Sequence, residues 1–292
     1  MLIRPKRFML EKKGRERIVI MRYVKKKYFF SDWSKLRDIF TQNNLFLFLD
    51  FDGTLAPIAD TPGKAKIDSS IKKLLRQLSF LKNCRVAIVS GRSLKDIKQK
   101  VGLQKIIYVG NHGFEIDGPK INFKKKVSLK SKKIFKCIAK AVKIRHQDFP
   151  GIVIQDKEMT LSIHYRLVEK KKVRFFEAFF KKVVAFYLKK GEIIVNPGKK
   201  VYEVYPPIFW HKGKAVSWLL RKTRFFQNKR KIRAIYIGDD ETDENAFVSL
   251  KSRALTIRVG LKKSSYARYY LHNVNDVRIF LERIFLLKRG QQ

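Results

Sequence analysis

The chain is 292 residues long, 45% hydrophobic and 13% aromatic, which excludes a disordered protein and allows one large domain or two modest ones. No run approaches the roughly 18 apolar residues that cross a bilayer. The basic first 27 residues contain no apolar core of signal-peptide length. Charge is the unusual feature, since 67 Lys and Arg against 25 Asp and Glu leave +42.

Such a balance first suggests nucleic acid, because Lys and Arg neutralise phosphates. The lysines, however, are spread over the whole chain, with no basic-aromatic signature and no zinc-finger or helix-turn-helix pattern. A solubilising surface that also draws small anions is the simpler reading. Neither nucleic acid nor a membrane is expected as a partner, and a monomer is expected. Cys84 and Cys137 lack metal or redox spacing, so they read as small buried hydrophobes in a cytoplasmic protein.

Residues 1–30 read as a basic N-terminal extension, of which 1–20 are poorly patterned and stand outside the fold. An amphipathic helix over 31–40 follows, with Ser31 or Asp32 as its cap. Residues 45–50 form an apolar run ending in a carboxylate, the pattern of a strand buried on both faces in a parallel sheet. Similar runs follow at 84–89, 106–109, 232–237 and 254–259, with helical stretches at 68–82, 93–101, 212–225 and 241–250. This alternation predicts an α/β fold, a doubly wound, Rossmann-like parallel sheet with helices on both faces.

Residues 114–207 have a different rhythm. A basic helix near 128–146 precedes strand-like runs at 152–156 and 159–166. A second helix, 169–190, places Phe175/Phe176, Phe179/Phe180, Val183/Val184 and Tyr187 at a 3.6-residue period. Strands at 192–196 and 199–205 flank an Asn196-Pro197-Gly198 turn. This αββαββ block reads as an α+β domain of residues 114–207, inserted between the 31–113 and 208–292 halves of the core.

Asp50-Phe51-Asp52-Gly53-Thr54 lies past the end of the first buried strand, where open α/β sheets bind ligands. Gly238-Asp239-Asp240-Glu241-Thr242-Asp243 stands at the same place after a later one. Adjacent parallel strands would gather four or five carboxylates at one edge. Two like charges about 4 Å apart repel by roughly 4 kcal/mol at an effective dielectric of 20. A divalent cation relieves this, and an all-oxygen set selects Mg²⁺. The plainer alternative is helix capping, with Thr242 or Asp243 as the cap of the second cluster. Ser90-Gly91-Arg92-Ser93, between a strand and a helix, supplies a hydroxyl and backbone N–H groups for an anion. Lys212-Gly213-Lys214 opens the helix before the Asp239 strand, where a lysine can neutralise a phosphoryl group.

In order and strand context these four elements resemble the haloacid dehalogenase-like (HAD) phosphatase superfamily, and the insert resembles its larger, C2-type sugar-phosphatase cap. More narrowly, several segments are similar to trehalose-6-phosphate phosphatases. They are Phe51–Ile58, Val89–Ser93, Gly110–Glu115, His164-Tyr165-Arg166, Gly198–Val204 and Lys212–Val216, within a likeness covering roughly residues 44–285. Tyr205, where the family often has Arg, and His211, where an acid is common, depart from its pattern.

The resemblance implies that Asp50 attacks phosphorus and that Asp52 serves as acid and then base. It implies that Ser90 and Lys212 hold the phosphoryl oxygens. Mg²⁺ would be bound by Asp50, the Asp52 carbonyl and Asp239, supported by Asp240 or Asp243. Gly91, Arg92, His112, Glu115, Arg166, Lys199 and Glu203 would contact the sugar phosphate. Arg166 would share a strand face with His164, and Lys199 one with Glu203. The alternatives are a phosphatase of another sugar phosphate, of sucrose 6-phosphate or mannosylglycerate phosphate type, and a non-catalytic basic binding module.

Overall fold

The computed structural model describes residues 7–12, 15–20, 25–222, 232–262 and 264–291. In chain order the first elements are a hairpin of β1 (Arg7–Lys12) and β2 (Arg15–Ile20), then β3 (Lys27–Tyr28), α1 (Trp33–Gln42) and β4 (Asn44–Leu49). Next come α2 (Ser69–Phe80), β5 (Cys84–Val89), α3 (Leu94–Val101), β6 (Ile107–Gly110), β7 (Glu115–Gly118) and β8 (Ile121–Lys124). A second group follows: α4 (Leu129–Ile144), β9 (Val153–Asp156), β10 (Leu161–His164), α5 (Lys170–Lys189), β11 (Ile194–Pro197) and β12 (Val201–Tyr205). The chain ends with α6 (Lys212–Lys222), β13 (Ile232–Gly238), α7 (Glu241–Leu250), β14 (Ala254–Val259), β15 (Tyr269–Leu271) and α8 (Val274–Arg289).

Nine strands form one sheet in the order β3-β15-β14-β13-β4-β5-β6-β7-β8. From β3 to β6 every neighbouring pair is parallel, and β7 turns back antiparallel on β6. All six residues of β4 are buried, because strands flank it and apolar side chains cover both faces. That is why its sequence is a continuous apolar run rather than an alternating one. Phe46, Phe48, Val89, Tyr236 and Phe247 join one core cluster. Each buried Phe contributes on the order of 1.5–3 kcal/mol. The predicted doubly wound sheet is present.

Register sets up the chemistry. Leu49 of β4 lies opposite Ile237 of β13 on one side and Ile88 of β5 on the other. The residues that follow, Asp50, Asp239 and Ser90, therefore leave the sheet at one edge. Two hydrogen bonds continue the ladder there, from the Asp50 N–H to the Ile237 carbonyl at 2.9 Å and from the Ser90 N–H to the Val109 carbonyl at 2.8 Å.

The chain divides into two compact units. The larger comprises Met1–Ile58, Lys66–Phe123 and Trp210–Gln292, and the smaller Ala59–Ala65 and Lys124–Phe209. The change of rhythm read at residue 114 precedes the division, because β7 and β8 extend the large sheet. Each is only four residues long, too short for its alternation to mark it as part of the large sheet. At the other end of the sheet, Lys27 and Tyr28 pair with Tyr269 and Tyr270, inside the segment read as an extension.

The smaller unit follows the predicted αββαββ order, with an antiparallel sheet β11-β12-β10-β9. Phe176, Phe180 and Val184 of α5 fill its core, whereas Phe175 is exposed, so the buried stripe is narrower than the sequence suggested. The end expected for α6, at residue 225, lies outside the described residues. Among the described residues no helix is long and apolar enough to cross a membrane.

Candidate active site

The larger unit brings Asp50, Lys212, Asp239 and Asp243 together. Asp50 leaves β4, Asp239 leaves β13, Asp243 lies in the first turn of α7, and Lys212 opens α6. The Lys212 ammonium donates to Asp50 Oδ1 at 2.8 Å and to Asp243 Oδ1 at 2.9 Å. The three side chains are between 0% and 5% exposed. Removing the cation would leave two buried carboxylates facing each other, a loss of about 3–5 kcal/mol.

Burial works against the Lys212 charge, but Asp243 and Asp50 outweigh it and hold the ammonium well above its ordinary pKa. Burial pushes Asp50 well above the carboxylate range; Lys212 opposes this, while Asp243, Asp240 and Asp239 add to it. For the same leading reason Asp243 is pushed up to about 7. Such crowding of buried acids invites a cation. Asp50, Asp239 and Asp243 each offer an oxygen, all within 4.8 Å of one another. An all-carboxylate donor set suits a hard divalent ion. The space is also guarded, since Gly53 has φ of +84° and a Cβ there would overlap the Asp239 carboxylate.

Two carboxylates of the expected site are engaged elsewhere. Asp240 is the N-cap of α7, accepting from the Asp243 N–H at 3.0 Å and from Thr242 Oγ1 at 2.8 Å. The cap expected at Thr242 or Asp243 is therefore Asp240, in a capping box with Asp243. Lys212 and these hydrogen bonds hold Asp240 below its ordinary pKa despite burial. Asp52 turns to Arg92, which donates to both of its oxygens at 2.6 and 2.7 Å. Arg92 also reaches Asp96 at 2.8 Å, so this expected substrate ligand sits between two carboxylates of its own chain.

The Ser90–Arg92 turn is stitched to the segment after β6. Ser90 Oγ accepts from the Arg92 N–H at 3.1 Å, and the Ser90 carbonyl accepts from the His112 N–H at 3.0 Å. Gly91 faces the His112 ring, which any Cβ there would overlap. Asn111 and His112 both take left-handed φ, 49° and 55°, and Asn111 donates to Glu115 at 2.6 Å. Two successive non-glycine residues in that region carry strain of the kind found at functional sites.

Arg166, Lys199 and Glu203 belong to the smaller unit. The strand-face pairing expected for them is not observed. β10 ends at His164, so Arg166 lies in a turn, donating to the carbonyls of Lys199 at 3.1 Å and Ala59 at 3.2 Å. β12 starts at Val201, because Lys200 adopts φ of 62° and breaks the extended chain between Lys199 and Glu203. Glu203 accepts from Ser162 Oγ at 2.7 Å and pairs with Lys157 at 3.5 Å.

Sequence reasoning missed the residues that hold the Asp239–Asp243 loop. Asp243 Oδ2 accepts from the N–H groups of Asp239 and Asp240 at 3.0 and 3.1 Å, and its Oδ1 from Tyr236 at 2.7 Å. Behind the loop, Arg258 donates to the carbonyls of Asp239 and Asp240 and to Glu244, the last at 2.6 Å. A charged residue inside the apolar run 254–259 was the available signal.

The trehalose-phosphatase family profile matches residues 48–275, from within β4 to the start of α8. Trehalose-phosphate phosphatase B of Arabidopsis thaliana is 33% identical over 258 residues, 84% of this chain and 67% of the relative. Probable trehalose-phosphate phosphatase 4 of Oryza sativa subsp. japonica is 32% identical over 251 residues, with the same shares of each chain. Among solved structures, a trehalose-6-phosphate phosphatase related protein is 27% identical, with a TM-score of 0.68 over 85% of this chain and all of that one. The C-terminal domain of C. albicans trehalose-6-phosphate phosphatase is 25% identical, with a TM-score of 0.70 over 87% and 96%. The matched span contains every residue of the buried carboxylate–lysine cluster, and the chain belongs to the trehalose-phosphatase family.

Proposed function

We propose that this chain hydrolyses trehalose 6-phosphate to trehalose and inorganic phosphate, acting as a monomer in the cytoplasm. The observation that carries the reading is the buried Asp50–Lys212 pair at the family's matched strand end, beside Asp239.

An Asp50 oxygen attacks phosphorus, the bond from phosphorus to the sugar oxygen breaks, and an aspartyl-phosphate forms. Asp52 protonates the departing oxygen, then takes a proton from the water that cleaves the aspartyl-phosphate. Both Asp52 oxygens are occupied by Arg92, so proton delivery requires that contact to open. Lys212 and the Ser90 turn hold the phosphoryl oxygens as charge develops. Mg²⁺ held by Asp50, Asp239 and the Asp52 carbonyl, with Asp243 behind them, would screen the anionic nucleophile from the anionic substrate. With both oxygens already accepting hydrogen bonds, Asp243 orients Lys212 and the loop in this scheme.

The smaller unit is read as a cap, bounded near 124–209, that closes over substrate and excludes water. Arg166, Lys199 and Glu203 would grip the sugar, while His112, Glu115, Gly91 and Arg92 would shape the phosphate side. Phosphate release from trehalose 6-phosphate, beside glucose 6-phosphate and sucrose 6-phosphate, tests this with and without Mg²⁺. Trehalose 6-phosphate should be strongly preferred, with release lost in EDTA and in Asp50→Asn. Preference for another sugar would overturn the cap assignment, and the absence of Mg²⁺-dependent release would overturn the enzyme.

A further inference from the structure

The opposite end of the catalytic sheet carries a second concentration of charge. Where β13 and β14 begin, a cavity of about 430 Å³ opens beside Arg233, Lys251, Arg253 and Arg268. Leu255, Thr256 and Tyr266 line its buried part. Arg233 is the second residue of β13, and Lys251 and Arg253 belong to the turn that joins α7 to β14. Arg268 is fixed alongside, its N–H reaching the Thr256 carbonyl and Oγ1, both at 3.1 Å.

Four cations around one cavity are mutually unfavourable unless something negative joins them. Among the described residues no carboxylate forms an ion pair with any of the four. Arg233 Nε is buried and makes no hydrogen bond there, a donor whose desolvation nothing described compensates. A merely solvated basic face explains the exposed rim but not that buried donor. The volume lies within the range of small-ligand pockets. Guanidinium forks match phosphate oxygens in pairs, and Thr256, with its hydroxyl, is part of the same lining.

We propose that this cavity is a second anion site, separate from the Asp50 centre, for a small phosphorylated ligand of two or more negative charges. Asp239 lies six positions beyond Arg233 along β13, about 20 Å of extended chain, so the two sites can be filled independently.

Calorimetric titration with inorganic pyrophosphate, in EDTA so that no divalent ion bridges it to the carboxylates, tests the site. Pyrophosphate should bind the wild-type chain and the Ser90→Ala variant alike. Arg233→Gln/Arg253→Gln should bind it more weakly by about tenfold or more, while turnover of trehalose 6-phosphate is unchanged. Arg253→Gln alone, at an exposed rim position, should show a partial loss with an unchanged melting temperature. Equal affinity in the double variant, or loss of binding in Ser90→Ala alone, overturns the proposal. So does displacement of pyrophosphate by a short single-stranded oligonucleotide at far lower concentration, which would make the face a nucleic-acid surface.

Discussion

His211 sits where its neighbour matters most. It precedes Lys212, whose charge the buried carboxylates require, and Lys214 follows two residues on. A third positive charge there would compete for the same acids. Burial, reinforced by Lys214, lowers the His211 pKa from 6.5 to about 4, so the ring stays neutral near pH 7. The unfolded chain takes up the proton at about 6.5, the folded one only near 4. The neutral ring therefore contributes stability that is full above 6.5 and is lost as pH falls towards 4. His211 is partly exposed, which reduces the effect to about 2 kcal/mol. His211→Asn keeps a polar side chain and does not titrate. Denaturant unfolding at several pH values should show the wild type losing about 2 kcal/mol more than the variant between about pH 7 and pH 4. A difference independent of pH would sink this account.

At the scale of elements, the loop from Asp239 to Asp243 is clamped on both sides of its backbone. Asp243 takes its N–H groups, and Arg258 its carbonyls. The clamp depends on β14 lying beside β13 in fixed register, with Gly238 opposite Arg258. Glu244 completes it, pairing with Arg258 and accepting from the Tyr266 N–H at 2.8 Å. Arg258→Met would strand Glu244 in the interior and cost about 3–5 kcal/mol, enough to threaten folding. Arg258→Lys retains the charge but not the fork. It should remain folded, melt a few degrees lower and bind Mg²⁺ about tenfold more weakly by calorimetry. Unchanged Mg²⁺ affinity in Arg258→Lys would remove the clamp from the account of the site.

This clamp also marks what the chain does and does not reveal before it is folded. The parallel strands were legible because burial on both faces leaves an uninterrupted apolar run, as in β4. Asp50 and Asp239 were legible because acids at the ends of such runs have few structural explanations. Long-range pairing leaves no period to read. Arg92 meets Asp52 across 40 residues, and Arg258 meets Asp239 across 19. In the smaller unit, left-handed Lys200 and the early end of β10 removed the even spacing on which the Arg166 and Lys199 faces rested. One residue of irregular backbone is enough to undo a face argument.

Over the whole molecule, the acids are few and unevenly placed. Of 25 Asp and Glu, five fall within residues 239–244, and Asp50 joins Asp239, Asp240 and Asp243 around Lys212 and the loop that caps α7. The remaining chain is more basic than its net +42 conveys. A doubly charged sugar phosphate approaching such a protein is drawn in by a field that salt can screen. The groups inside the catalytic cluster are shielded from solvent and respond far less. Raising NaCl from about 0.05 M to about 0.5 M shortens the screening length from more than 10 Å to about 4 Å. The KM for trehalose 6-phosphate should then rise severalfold, while kcat stays within about twofold. Trehalose, which lacks the charged phosphate group, should show little change in apparent affinity when used as a competitive ligand. If kcat falls with salt while KM holds, the sensitive interaction lies in the chemical step, and the surface charge has no part in capturing substrate.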